Sequence, residues 1–183
     1  MSQHEFDPFR LDVAAFAKAA GELDGAWPLA PFDRLTDSAV ADALAPEAAD
    51  VMWSARGEAR ALRGGETQIW LHLTAATALP LECQRCLKPV QAALQIERSF
   101  LFVPGEDAAA QLDADGDDDV LALTRALDLR ELIEDELLLA LPIVPRHEVC
   151  PEPLVSAAAD AEAADEKPNP FAALAALKRT NLN

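Results

Sequence analysis

Two cysteines three residues apart stand in the stretch Leu81-Glu82-Cys83-Gln84-Arg85-Cys86-Leu87-Lys88-Pro89, between two segments whose apolar residues recur at every second position. A turn between strands aims both sulfurs at one point, which is the usual first half of a zinc knuckle. One further cysteine exists, Cys150, and His147 stands three residues before it. Closing a Cys3His tetrahedron requires the turn and this distant pair to meet, so the spacing predicts a long-range contact before any fold is drawn. Two other readings stay open. Reduced thiols can simply pack in the turn. A redox pair is the other, although such motifs usually open a helix and the flanks here read as strands.

The alternation begins at Val51. Val51, Trp53, Ala55, Ala59 and Ala61 alternate with Ser54, Arg56, Glu58 and Arg60, the pattern of a strand with one wet face. Arg63-Gly64-Gly65 supplies a turn, and Thr67, Ile69, Leu71, Leu73, Ala75, Thr77, Leu79 and Leu81 form the apolar face of the return strand. His72 falls on the polar face and reads as a solvated strand residue. A third strand follows the cysteine turn, with Val90, Ala92, Leu94, Ile96, Phe100 and Phe102 on one face. Three consecutive strands with short turns predict an antiparallel meander.

Before the sheet, residues 9–20 predict a short helix with Phe9, Val13, Phe16 and Ala20 on one face, and 33–44 a second with Thr36 or Asp37 as N-cap. Between them, Gly25 to Pro31 reads as an extended loop pinned by Trp27. After the sheet, Pro104 to Asp119 carries seven acids and no base, which predicts a mobile acidic loop. Its Asp113-Ala114-Asp115-Gly116-Asp117 run lacks the spacing and closing glutamate of a calcium loop. Val120 to Leu123 reads as a short edge strand. Asp128 then caps the strongest helix, Leu129 to Leu141, with Leu129, Leu132, Ile133, Leu137, Ala140 and Leu141 as its apolar stripe and a second half buried all round. Pro142-Ile143-Val144-Pro145 must run extended, because each proline disfavours helix for itself and its predecessor. This stiff connector delivers His147 and Cys150 to a fixed place.

The expected organisation is one α+β domain over residues 1–150, an acidic Ala/Pro linker over 151–167 and a helical tail over 168–183. In the tail Asn169 is a natural N-cap and Pro170 a natural first helical residue, and Phe171, Leu174 and Leu177 share a face. That helix either docks on a partner or folds back on its own domain.

Charge narrows the function. The chain of 183 residues carries 15 lysines and arginines against 32 acids, a formal net charge of −17. Nucleic-acid affinity comes largely from cations that neutralise phosphates, so the whole-molecule field opposes it, whereas a basic protein partner is attracted. No apolar run approaches the roughly 20 residues of a membrane span, and Met1 to Arg10 lacks the basic-then-apolar pattern of a secretory leader, so a cytoplasmic protein with reduced thiols is expected. There is no glycine-rich phosphate loop, no nucleophile elbow and no helix with paired histidines, so no enzyme is expected.

Leu81 to Leu87, the run Glu134-Asp135-Glu136-Leu137-Leu138-Leu139-Ala140-Leu141-Pro142-Ile143-Val144-Pro145, His147 with Cys150, and the tail Lys167 to Leu174 together resemble the YceD (DUF177) family of large ribosomal RNA subunit accumulation proteins. The resemblance runs from about Val51 to the end, with the motifs in family order. It implies a non-enzymatic role in the synthesis, processing or stability of 23S rRNA and in large-subunit assembly, with a ribosomal protein or assembly intermediate as client. The expected metal ligands are Cys83, Cys86, His147 and Cys150, holding a structural zinc. The expected partner-binding residues are Arg85, Lys88, Phe171, Leu174, Leu177, Lys178 and Arg179. The rival readings are a zinc-knuckle protein that binds rRNA directly through Arg85, Lys88, Lys178 and Arg179, and a nuclease or RNA-modifying enzyme.

Overall fold

The computed structural model describes residues 6–44, 50–62, 64 and 67–151. Five strands, β1 (Glu22–Trp27), β2 (Val51–Ala61), β3 (Thr67–Glu82), β4 (Pro89–Val103) and β5 (Asp119–Ala122), form one sheet in sequential order. The first four run antiparallel and β5 lies parallel to β4. Among the described residues four α-helices accompany them: α1 (Val13–Lys18), α2 (Asp33–Asp37), α3 (Glu106–Asp115) and α4 (Leu129–Leu139). The α+β meander expected from the alternation is present, with β3 and β4 as a long hairpin that carries the cysteine turn at its tip.

The period-two pattern works because successive side chains leave a strand on opposite faces. Leu71, Leu73, Leu79, Leu94, Ile96 and Phe100 line one face, and Phe16 of α1, Phe32 and Leu35 beside and in α2, and Leu129, Ile133 and Leu137 of α4 close over it. The start of α4 is held twice. Asp128 accepts from the backbone N–H of Arg130 (2.9 Å) and Glu131 (3.2 Å), and Leu11 and Leu127 form a β-bridge just ahead of it.

Several elements depart from the sequence reading. Gly25 to Trp27 is part of strand β1 rather than a loop; Trp27 stacks on Trp53 with centroids 4.3 Å apart, and this ring pair fastens the edge strand. Neither Thr36 nor Asp37 caps α2. Its N-cap position is Phe32, and the helix stops at Asp37, with a 3-10 turn at Ala41–Ala43. The expected acidic loop is interrupted by α3. Ala108, Ala109, Ala110, Gln111 and Leu112 are strong helix formers, Glu106 and Asp107 suit the positive end of the helix dipole, and Ala109 is buried with Trp70, Leu101 and Val120 in a second small core. That core lies on the opposite face of the sheet, so the face that carries His72 is not wholly wet. The second half of α4 is not buried all round either. Leu137 is buried but Leu139 is 76% exposed, since 100° per residue must turn one of three consecutive leucines outward.

Among the described residues no helix is long and apolar enough to cross a membrane. The linker expected over 151–167 lies, beyond Pro151, outside the described residues, as does the tail helix expected over 168–183.

Candidate metal centre

The β3–β4 tip is a short turn closed by Leu87 N–H donating to Cys83 O (2.8 Å) and Cys83 N–H to Lys88 O (3.0 Å). Leu87 sits at φ 58°, in the left-handed region that non-glycine residues rarely adopt. Cys83 is fully buried at the foot of the turn. The connector after α4 returns to it. Gln84 N–H donates to Pro145 O (2.9 Å), and the Arg85 guanidinium donates to the carbonyls of His147 (3.1 Å) and Glu148 (3.4 Å).

This latch brings Cys83, Cys86, His147 and Cys150 together, with one ligand atom from each within 4.8 Å of all the others. A tetrahedral zinc with Zn–S near 2.3 Å and Zn–N near 2.0–2.1 Å requires ligand separations of roughly 3.8 Å between sulfurs and about 3.5 Å between sulfur and nitrogen. Cys86 Sγ lies 3.4 Å from His147 Nδ1, already at that edge length. The other ring nitrogen, Nε2, is 3.0 Å from Pro89 O. A carbonyl can only accept, so Nε2 carries the proton and Nδ1 presents its lone pair to the sulfurs. An outer carbonyl that sets the tautomer and the ring angle is the usual support of a metal-binding histidine. The donor set and its orientation therefore fit a metal such as zinc.

The electrostatics agree. Burial alone would push the Cys83 thiol up, but hydrogen bonds from the backbone N–H groups of His147, Arg85 and Cys86 favour the thiolate and bring the value down to about 5. Thiolate is the form that binds metal. Three sulfurs and one nitrogen would supply all four ligands of a tetrahedral ion such as zinc.

A family model described as "Large ribosomal RNA subunit accumulation protein YceD" matches residues 71–178, more than half of the chain. The chain belongs to the YceD family. It is 39% identical over 104 residues to the "Large ribosomal RNA subunit accumulation protein YceD" of Haemophilus influenzae, a match covering 54% of this chain and 59% of that protein. This chain thus spans less than two thirds of that relative's length. No solved structure matches. The YceD match contains the four clustered residues and α4, and it excludes α1, β1, α2 and β2.

The expected partner-binding residues divide. Arg85 donates to the connector carbonyls within the chain and is exposed, and Lys88 is exposed on the same turn. Phe171, Leu174, Leu177, Lys178 and Arg179 lie outside the described residues. Other residues that shape the site carry little signal in the sequence. Glu134, largely buried in α4, accepts from the N–H groups of Arg34 and Leu35 at the start of α2, and Glu136 pairs with Arg98 of β4 at 2.8 Å. These acids fix α4 against both neighbours and so fix where its connector emerges. His72 is held between Glu58 and Ser99, each at 2.8 Å, and takes no part in the cluster.

Proposed function

We propose that the protein is a non-enzymatic factor for large ribosomal subunit RNA, acting by binding a basic ribosomal protein or an assembly intermediate. In this reading a structural zinc on Cys83, Cys86, His147 and Cys150 fastens the end of the α4 connector to the hairpin tip. Membership of the YceD family is the observation that carries the biological half, and the net charge of −17 favours a basic polypeptide over an RNA phosphate backbone. The zinc would contribute cross-linking rather than chemistry, because its four ligands would complete the coordination shell. Cells lacking their own family member test the whole. Full-length protein should restore the ratio of 23S to 16S rRNA, and a Cys83→Ser, Cys86→Ser variant should not. An unchanged ratio with full-length protein would remove the assignment.

A further inference from the structure

The sheet face opposite the main core is only partly covered. The small core under α3 occupies the end near Trp70 and Leu101, and the rest of that face, from β1 to β4, has no element over it among the described residues. The cross-strand register arranges it in rows. Asp24, Ser54, Thr74 and Glu97 are consecutive partners across β1, β2, β3 and β4. Below them run Glu22, Arg56, His72 and Ser99, and above them Ala26, Met52, Ala76 and Gln95. Two adjoining hollows of about 340 and 370 Å³ share the middle row.

The middle row is a carboxylate at each end with two hydroxyls between, and Ser54 Oγ and Thr74 Oγ1 are themselves hydrogen-bonded at 2.8 Å. Three strand spacings of about 4.8 Å put the two carboxylates roughly 14 Å apart. Of the basic residues beside the hollows, His72 is hydrogen-bonded to Glu58 at 2.8 Å, and Arg98 leaves the other face of the sheet, where Glu136 of α4 holds it at 2.8 Å and Asp119 at 3.4 Å. Glu22, Asp24 and Glu97 form no ion pair among the described residues, and the one guanidinium left to balance them is Arg56, opposite Glu22 in register. The trough is therefore negative, small-walled and open, with Met52, 56% exposed, as an apolar contact beside it.

From this geometry we infer that the trough across β1–β4 is the docking surface for a basic polypeptide segment, whose cations reach Asp24 and Glu97 while its backbone meets Ser54 and Thr74. An extended chain separates side chains four residues apart by about 13 Å, which matches the two carboxylates, whereas one helical turn spans about 5 Å. Small side chains at Ala26, Ala76 and Ser54 let a backbone approach the sheet closely. This assignment rests on the basic-partner reading above and states where that partner sits.

The test titrates purified basic proteins of the large ribosomal subunit, one at a time, into full-length protein and into two double variants of equal charge change. Asp24→Asn, Glu97→Gln neutralises the trough, and Asp115→Asn, Asp117→Asn neutralises two exposed acids at and beyond the end of α3. All these positions are exposed, so folding should be retained, and urea unfolding checks it. The expected result is a weakening of about tenfold for the trough variant, from two charge contacts, and under twofold for the control. Equal weakening in both would reduce the effect to net charge and overturn the site. Unchanged binding in the trough variant would overturn the site while leaving the basic-partner reading intact. If the unmodified protein binds no basic protein and instead captures 23S rRNA, both fall.

Discussion

Glu134 offers the sharpest test of how α4 is placed. Its residue is 8% exposed, and its carboxylate accepts from Arg34 N (2.9 Å), Leu35 N (3.2 Å), Arg34 Nε (3.1 Å) and Arg34 Nη2 (2.9 Å). One carboxylate thus supplies the N-cap that Phe32 cannot and also pairs with a guanidinium. Replacing it with alanine leaves two helix-terminal N–H groups without their acceptor, a loss of about 1 kcal/mol by comparison with ordinary caps. It also removes charge-assisted bonds of roughly 1.5–3 kcal/mol, discounted because the Arg34 side chain is 51% exposed and still meets Asp135 at 2.6 Å. The expected cost of Glu134→Ala is about 2–3 kcal/mol. Arg34→Ala keeps the two backbone bonds, so it should cost clearly less than Glu134→Ala, and the double variant should cost less than the sum of the two single losses because they share one contact. Urea unfolding of the full-length chain reads all three. Equal losses from the two single variants would show that the cap contributes nothing, and a loss below about 0.5 kcal/mol for Glu134→Ala would refute the reasoning altogether.

Other consequences follow from local geometry. A Cβ at Gly57 would lie 2.8 Å from Ala17 Cα and 2.9 Å from Ala17 N, so Gly57→Ala must lift α1 off the sheet and should cost about 2 kcal/mol in the same unfolding assay; an unchanged midpoint would contradict that close approach. Leu87 is 67% exposed at φ 58°, so Leu87→Gly should relieve strain and raise stability by about 1 kcal/mol, while Leu87→Ala should not. The Glu58 carboxyl is brought from its ordinary 4.5 to about 2, first by the Arg60 hydrogen bond and then by that of His72. Because its folded value is depressed, its contribution is present above pH 4.5 and lost as pH falls toward 2. Glu58→Gln should therefore flatten the acid limb of the stability profile in that window, and an acid limb identical to that of the unmodified protein would exclude the pairing.

Much of this was legible in the sequence where a pattern is local. Alternation from Val51 to Phe102 marked the hairpins, and Asp128 marked the start of α4. The meeting of the cysteine turn with His147 and Cys150 was legible because the prolines Pro142 and Pro145 deny the connector any helix. Strand β1 was hidden because Gly25 supplies no side chain to the alternation and Pro28 and Pro31 read as loop. In α3 the acids mask an alanine-rich helical centre whose burial depends on Trp70, over thirty residues away. The Arg34–Glu134 link joins residues one hundred positions apart, and nothing local distinguishes that glutamate from its acidic neighbours. Likewise Pro89 O, which orients His147, is a backbone atom of a residue with no chemical signature of its own.

Zinc content of the full-length protein, purified without chelator and measured by elemental mass spectrometry alongside a Cys83→Ser, Cys86→Ser variant, tests the proposed centre most directly. Close to one zinc per chain, absent from the variant and accompanied by a lower melting temperature after chelation, is the expected result. A stoichiometry far below one, with stability indifferent to chelator, would mean that the thiols and imidazole are brought together for some purpose other than metal.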